Sequence, residues 1–170
     1  MINKKEQEGE VVKKQEYGNN SILLLKGADR VRLKPSVIFG SDGLEGCQHS
    51  VFELLSNSID EAKAGFGDRI EVEYDKATCV VSLRDYGRGI PLDYNETEKR
   101  YNWDLIFCEL YAGGKMNLSK ESSNYEDSLG TNGLGTAATQ YASEFMKVEV
   151  IRDGFLYKKE FKKGKSYGKR

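Results

Sequence analysis

The chain has 170 residues, of which 38% are hydrophobic and 31% charged, and its formal net charge is −1. These values are typical of one soluble globular domain, which at this length buries about two-thirds of its unfolded surface. No apolar run reaches the ~18 residues of a membrane span, and residues 1–15 lack an apolar core, so we expect neither a membrane span nor a secretory signal.

The charged residues and the cysteines narrow the class further. The three cysteines, Cys47, Cys79 and Cys108, are widely spaced, so we expect no disulfide framework and no zinc cage. This usage is typical of a reducing compartment, and we expect a cytoplasmic location. The near-neutral charge excludes a domain that grips DNA over its whole surface. A basic run at residues 158–170 is interpreted as a solvated hairpin edge and tail.

The first predicted elements follow a polar start. Residues 1–20 are expected to form an arm outside the core that ends in a turn signal at residues 17–20, and residues 21–170 to form the domain. A basic helical segment opens at Gly27 and stops before Pro35, because the residue before a proline disfavours helix.

A longer helix is predicted over residues 46–64. Asp42 and Glu45 have the spacing of a capping box, and Gly65 provides the stop signal. At 100° per residue the helix divides into two faces. The polar face is predicted to contain His49, Glu53, Asn57, Asp60 and Glu61, and the apolar face Val51, Phe52, Leu54, Leu55, Ile59 and Ala62.

The second half alternates strands with helices. Residues 70–74 and 79–83 predict a hairpin, and Asp153-Gly154 within an alternating pattern predicts another. Residues 103–111 predict a helix ended by two glycines, residues 117–127 a loop, and residues 133–141 a helix. This order predicts an α+β fold, a two-layer sandwich with a mostly antiparallel sheet and helices on one face.

The polar face of the long helix has a composition suited to chemistry. It combines three carboxylates, the only histidine and an asparagine, with no basic residue before Lys63. Asparagine is unfavourable inside a helix, whereas its oxygen is a ligand of the kind that Mg²⁺ prefers. Glu53, one turn before Asn57, could accept a proton from a water near that metal. The alternative interpretation is a merely solvated face.

Two glycine-rich segments suggest a nucleotide. In the segment at residues 85–91, Asp85 ends a strand beside glycines and can accept a hydrogen bond from the amine of adenine, although a plain turn is the alternative. The glycines at residues 130–135 open a helix and leave N–H groups for phosphate oxygens. A P-loop is excluded at residues 113–116, because Met116 stands where Ser or Thr is required.

Together these motifs resemble the ATPase domain of the GHKL superfamily, the Bergerat ATP-binding fold of gyrase, Hsp90, histidine kinases and MutL. Within it, the likeness is to the B subunits of bacterial type IIA DNA topoisomerases, which are gyrase B and its counterpart in topoisomerase IV. It extends from Tyr17 to about Gly164, through the stretches YGNNSILLLKGADRVRLKPSVIFGSDG, HSVFELLSNSIDEAKAG, RDYGRGIP, YAGGK and LGTNGLG.

The resemblance implies roles for the helix face. Glu53 matches the general base that activates the attacking water, and His49 the residue that assists it. Asn57 matches the magnesium ligand. Asp60 and Glu61 match further polar groups of the nucleotide pocket.

The resemblance also implies an adenine pocket after the first hairpin. Asp85 matches the adenine-binding aspartate, and Arg88 and Gly89 match the adjoining wall. Ile90 and Pro91 are expected to pack beside the base.

The remaining implied contacts belong to the pocket mouth, a lid and the arm. Arg152 matches an arginine at the mouth, Lys115 and Tyr125 lie at the two ends of the lid, and Tyr17 matches an arm residue that reaches the nucleotide of the other protomer. The phosphate-wrapping end of the lid is expected to contain Gly130, Thr131, Asn132, Gly133, Leu134 and Gly135.

Several positions depart from the family pattern and indicate a divergent branch. Thr131-Asn132-Gly133-Leu134-Gly135 replaces the usual L-H-G-V-G, Ser56 stands where an aspartate is common, and Tyr86 stands where an asparagine is usual. The family's later strands and its transducer lysine have no counterpart here. We therefore expect a C-terminally truncated portion that binds nucleotide and turns it over poorly.

The resemblance implies ATP and Mg²⁺ as cofactors and ATP-driven dimerisation that drives DNA strand passage. The implied partners are a second copy of the B subunit, an A-type topoisomerase subunit and DNA, with no membrane. The alternatives are another GHKL ATPase, of the chaperone, mismatch-repair or kinase type, and a nucleotide-binding module that does not hydrolyse ATP.

Overall fold

The computed structural model describes residues 19–22, 24–112 and 133–167. After a short 3-10 turn (Asn19–Ser21), the helices are α1 (Asp29–Arg32), α2 (Ser36–Phe39), α3 (Leu44–Lys63), α4 (Asn102–Cys108) and α5 (Gly135–Ala142). The strands are β1 (Ile70–Asp75), β2 (Val80–Asp85), β3 (Tyr94–Asn95), β4 (Arg100–Tyr101), β5 (Phe145–Arg152), β6 (Phe155–Lys162) and β7 (Lys165–Tyr167). In this described part, no helix combines the length and hydropathy needed to cross a membrane.

The start of α3 differs from the prediction. The helix begins at Leu44 after Gly43, and no side chain caps it, so the capping role predicted for Asp42 is wrong. Asp42 instead accepts the backbone N–H of Ser36 at 2.8 Å, a hydrogen bond that lowers the pKa of its carboxyl. The end is as predicted, with Gly65 at φ +86° in the left-handed conformation that stops a helix.

The two faces of α3 do not separate as the helical projection predicted. Ser56, Ser58 and Asp60 are buried, while Phe52, assigned to the apolar face, is 51% exposed. The reason is that α3 contacts α2, α5 and β2, so neighbours enclose more than one side of it. A projection onto a single buried stripe assumes one packing partner.

Every strand pair in the described residues is antiparallel, which confirms the α+β architecture. The pairing divides the strands into the sheets β1–β2, β3–β4 and β5–β6–β7. The turn between β5 and β6 has positive φ at both Asp153 (+52°) and Gly154 (+80°), as the predicted two-residue hairpin requires. β3, β4 and β7 were not predicted, because two or three residues are too few to show an alternating pattern.

Helix α4 is shorter than predicted and ends at Cys108 instead of residue 111. Glu109 is extended and pairs with Arg100 at 2.9 Å, while Tyr111 has φ +66°. The carbonyl of Cys108 accepts the hydroxyl of Tyr141. Burial raises the pKa of that hydroxyl to about 12, so it keeps the proton that it donates at neutral pH.

The core joins the short helices to the sheet. Val31, Phe39, Ala138 and Tyr141 form a buried cluster between α1, α2 and α5. Phe107 of α4 packs against Phe161 of β6 with the rings tilted by 33° and their centres 5.6 Å apart. These contacts hold α5 beside α3, where the predicted site residues lie.

Candidate nucleotide site

The site is built where α3 packs against α5. Thr139 donates its hydroxyl to the carbonyl of Ser50 at 3.0 Å, and the amide of Asn57 donates to the Thr136 hydroxyl at 3.2 Å. Gly135 faces Glu53 so closely that a Cβ there would overlap the carboxylate and lie 2.8 Å from the Glu53 Cβ. The first residue of α5 therefore has to be glycine for the two helices to approach.

His49 and Glu53 form a pair one helical turn apart. His49 Nε2 lies 3.2 Å from Glu53 Oε1, and Nδ1 lies 3.2 Å from the carbonyl oxygen of Phe39. Both partners are acceptors, whereas a neutral imidazole has a single N–H, so only the doubly protonated ring donates to both. The contact with His49 leaves the other carboxylate oxygen of Glu53 facing Gly135 at the start of α5.

The residues around Asn57 fit a Mg²⁺ ion that has one oxygen ligand from the protein. The Asn57 amide nitrogen is occupied by Thr136, and its carboxamide oxygen accepts no hydrogen bond from the described residues. Within those residues no group of three or more His, Cys, Asp or Glu side chains could hold a metal ion. One oxygen ligand suits Mg²⁺, which usually keeps several waters and binds substrate phosphates.

Asp85 is the last residue of β2 and receives a donor on each carboxylate oxygen. The backbone N–H of Gly87 donates to Oδ1 at 3.0 Å, and the hydroxyl of Ser58 donates to Oδ2 at 3.0 Å. Strand β2 packs against α3, which brings Ser58 to this position. The carboxylate is therefore held by the same helix that carries Glu53 and Asn57.

Glu61 and Arg88 join α3 to the glycine turn after β2. The guanidinium of Arg88 donates to both carboxylate oxygens of Glu61, at 2.7 and 2.8 Å, and the Arg88 backbone N–H donates at 3.0 Å. Arg88 also stacks on Phe66, 3.4 Å from the ring centre. A Cβ at Gly87 would lie 2.5 Å from the Glu61 Cγ, so this turn has no room for a side chain there.

Arg152 of β5 lies beside the same turn. Its guanidinium donates to the carbonyl oxygen of Gly89 at 2.6 Å. Gly89 has φ +76°, and a Cβ there would lie 2.6 Å from the carbonyl oxygen of Ile151. Of the two residues that follow, Ile90 is half-buried and Pro91 is exposed.

Within the described residues, no side chain caps the first N–H groups of α5. Gly133 has φ +60°, and Leu134, at the N-cap, makes no capping side-chain hydrogen bond. No acidic residue stands in the first turn of α5. The first N–H groups of a helix have no partners within it and attract anions, so this end of α5 can receive phosphate oxygens.

The structure thus brings most predicted site residues to α3, the turn after β2 and the start of α5. Asp60, predicted as a polar group of the pocket, is 8% exposed, so its side chain is buried in the packing around α3. The predictions for Tyr17, Lys115, Tyr125, Gly130, Thr131 and Asn132 lie outside the described residues.

Three residues of the site were missed in the sequence. Ser58, Thr136 and Phe66 contact Asp85, Asn57 and Arg88 respectively. Serines on both sides of Asn57 in the middle of a helix were the one available signal, since serine is uncommon there without a specific contact. Nothing local in the sequence marked Thr136 or Phe66.

A family model and the similar curated proteins point to the same family. Residues 44–166 match the family described as histidine kinase-, DNA gyrase B- and HSP90-like ATPase. The chain is 40% identical to the B subunit of DNA gyrase from Thermotoga maritima over 151 residues, which cover 89% of this chain and 23% of that protein. It is 36% identical to the B subunit of DNA topoisomerase 4 from Staphylococcus aureus over 154 residues, 91% of this chain and 22% of that protein.

Solved structures agree with these relatives. The 43K ATPase domain of Thermus thermophilus gyrase B, in complex with an aminocoumarin, has a TM-score of 0.63 and 28% identity over 82% of this chain and 32% of that one. The topoisomerase IV ATP-binding domain of Francisella tularensis, in complex with a small-molecule inhibitor, has a TM-score of 0.65 and 27% identity over 86% of this chain and 36% of that one. The chain spans less than a quarter of the length of the two relatives above.

Proposed function

Since the chain belongs to the family of histidine kinase-, DNA gyrase B- and HSP90-like ATPases, we propose that it binds ATP with Mg²⁺ and hydrolyses it as the ATPase domain of a type IIA DNA topoisomerase. The observation that carries the proposal is the convergence on α3. This one helix holds Glu53 against Gly135, Asn57 against Thr136, and Ser58 against Asp85.

Each of these contacts corresponds to one part of the nucleotide. The Asp85 carboxylate accepts a hydrogen bond from the exocyclic amine of adenine, and the N–H groups at the start of α5 receive the phosphates. Asn57 offers its carboxamide oxygen to Mg²⁺, which when bound neutralises phosphate charge. Arg88, paired with Glu61, and Arg152, which donates to the Gly89 carbonyl, border the turn after β2 and form the wall and the mouth of the adenine pocket.

Hydrolysis is assigned to the pair at the start of α5. Glu53 accepts the proton of the attacking water, because it is the carboxylate that faces the phosphate-binding end of α5. His49 orients Glu53 through Nε2 and is itself held by the carbonyl of Phe39. A positioned general base of this kind typically contributes a factor of about 10² to 10⁴ in rate.

The names of the relatives support the proposed larger assembly. The proteins at 36–40% identity are named as B subunits of gyrase and topoisomerase 4, which favours a topoisomerase over a chaperone, a repair protein or a kinase. In the proposed assembly ATP drives dimerisation of two such subunits, with an A-type subunit and DNA as the other partners. A non-hydrolysing binding module is disfavoured by the Glu53–His49 pair.

The proposal that the chain binds ATP is tested by thermal unfolding with a non-hydrolysable ATP analogue and Mg²⁺. Ligand at about 100 times its Kd stabilises the folded state by about 2.7 kcal/mol, so the unfolding temperature rises. Asp85→Asn abolishes most of that rise, because the amide presents a donor toward the adenine amine. The matched control is Asp93→Asn, an exposed aspartate beyond the turn, which keeps the full rise.

Two results would contradict the binding proposal. One is an unfolding temperature of the unmodified chain that the analogue leaves unchanged at saturating concentration. The other is an Asp85→Asn variant that the analogue stabilises as strongly as it stabilises Asp93→Asn.

A further inference from the structure

Ser58 differs from the other serines of α3 in the partner of its hydroxyl. Within a helix, a serine hydroxyl commonly bonds to a carbonyl three or four residues earlier. Ser50 does so with Cys47 at 2.7 Å, and Ser56 with Glu53 at 3.0 Å. The Ser58 hydroxyl instead leaves its own helix and donates to Asp85 Oδ2, 27 residues along the chain.

The contact between Ser58 and Asp85 is sheltered from water on the side of Ser58. Ser58 is 5% exposed, and a buried hydroxyl without a partner is unfavourable, so this hydrogen bond is favoured over a solvated alternative. The hydroxyl has one proton and the carboxylate only accepts, so Ser58 is the donor. With Gly87 N–H on Oδ1, both carboxylate oxygens are fixed in direction.

We infer that Ser58 is a positioning residue that sets the preference of the site for a purine bearing an exocyclic amine. The inference rests on the proposed function, in which Asp85 meets the nucleobase. With one donor already on each oxygen, the remaining lone pairs of Asp85 point in defined directions. These lone pairs accept the N–H of an amine and repel a carbonyl oxygen in the same place.

The chemical contrast is clearest between adenine and hypoxanthine. The two bases share the purine ring, but hypoxanthine has a carbonyl oxygen where adenine has its amine. A site built to hydrogen-bond a substrate group discriminates strongly against an analogue that lacks it, by factors up to about 10⁵. Ser58 contributes to that discrimination because its hydrogen bond fixes the direction of the Asp85 carboxylate, and Ser58 takes no part in the contacts with the phosphates.

The test measures the affinities of the 170-residue chain for ATP and ITP with Mg²⁺ by calorimetry, for the unmodified chain and for Ser58→Ala. Alanine is the best helix former, so α3 is retained. The affinity for ATP is expected to fall about tenfold, the size of effect of one net hydrogen bond, while the affinity for ITP stays within about a factor of two. The ratio of the affinity for ATP to the affinity for ITP therefore falls.

The matched control is Ser56→Ala, which removes an equally buried hydroxyl that bonds only to its own helix. It is expected to leave the ratio of the two affinities unchanged. A merely structural role for Ser58 would weaken both nucleotides alike, and an unchanged ratio in Ser58→Ala would overturn the inference.

Asp85→Asn separates this inference from the proposed function. If Asp85→Asn removes the preference for ATP and Ser58→Ala keeps it, the inference about Ser58 fails and the adenine site at Asp85 stands. If the unmodified chain binds neither nucleotide, or binds both equally, the proposed function itself fails at the adenine contact.

Discussion

Gly135 shows how one residue without a side chain shapes the site. Because a Cβ at this position would overlap Glu53, the glycine lets the start of α5 reach the glutamate that the helix α3 presents. His49 contacts the other carboxylate oxygen of Glu53, and its second ring nitrogen lies 3.2 Å from the carbonyl oxygen of Phe39. The glutamate is thereby held against the end of α5 that is proposed to bind the phosphates.

Glu53→Gln tests the role assigned to that glutamate. Glutamine keeps the size of the side chain and cannot accept a proton from water, so ATP affinity is retained while phosphate release falls by about 10²-fold or more. Phosphate release in a single turnover, with the chain in excess over ATP and with Mg²⁺ present, records slow hydrolysis and measures the effect, and calorimetry confirms that binding is intact. The control is Glu45→Gln, on the same helix near its exposed start, which keeps the unmodified rate. An unchanged rate in Glu53→Gln would move the general base elsewhere.

Helix α5 is the element on which the site depends most, and it cannot be stable alone. It has eight residues and is about 12 Å long, whereas an isolated helix needs about 12–15 residues to be even marginally stable in water. Tertiary contacts hold it at both ends. Gly135 and Thr136 meet α3 at the start, and the Arg32 guanidinium donates to the carbonyls of Tyr141 (3.0 Å), Ala142 (3.3 Å) and Ser143 (3.0 Å) at the end.

Arg32→Ala is therefore expected to destabilise the fold. It removes donors from three carbonyls, which lowers the free energy of unfolding by about 2 kcal/mol. Arg30→Ala, on the same short helix, removes one exposed contact with Leu25 and is expected to change it by less than about 0.5 kcal/mol. Urea unfolding monitored by circular dichroism compares the two. Equal midpoints for both variants would show that the end of α5 is held by something other than Arg32.

Arg32 also pairs with an acidic residue just beyond α5. Its guanidinium donates to Glu144 at 3.0 Å, and this hydrogen bond lowers the pKa of the Glu144 carboxyl. A lowered folded-state pKa means that the stability from this pair is present above the ordinary pKa of the group and is lost as pH falls through the lowered value. The difference between Arg32→Ala and the unmodified chain should therefore narrow in acid.

At the scale of the whole molecule, helices connect strands that do not pair with each other. No hydrogen-bonded ladder links β1–β2 to β5–β6–β7 in the described residues. The first hairpin packs on α3, and the three-stranded sheet meets α4 through Phe161 and Phe107. The site residues belong to both parts, since α3 holds the turn after β2 through the pair of Glu61 and Arg88, and Arg152 of β5 donates to Gly89 in the same turn.

Phe161→Ala is expected to weaken the connection between α4 and the sheet. Phe161 is 2% exposed, and removing a buried phenylalanine typically lowers the free energy of unfolding by about 3–5 kcal/mol. That is a large share of the total stability of a domain, about 5–15 kcal/mol. Phe155→Ala, on the same strand but 66% exposed, is the matched control and changes stability little. Thermal unfolding measures both, and similar midpoints would contradict the assigned core position.

Several elements were predictable because their signals are local. The long run of residues with helical spacing predicted α3, and alternation with turn residues predicted the hairpins β1–β2 and β5–β6. The start of α3 and the end of α4 were not predictable in the same way. Asp42 accepts the backbone N–H of Ser36, and the carbonyl of Cys108 at the end of α4 accepts the Tyr141 hydroxyl, and no local pattern identifies these partners.

The residue types and their local spacing indicate the kind of chemistry, because Glu53 and Asn57 lie one turn apart on a helix and Asp85 ends a strand. How these groups are held depends on contacts between elements. Ser58 reaches Asp85 across 27 residues, and Arg32 reaches the end of α5 across 109 or more. Such contacts depend on which elements pack together, and periodicity within one element contains no information about its neighbours.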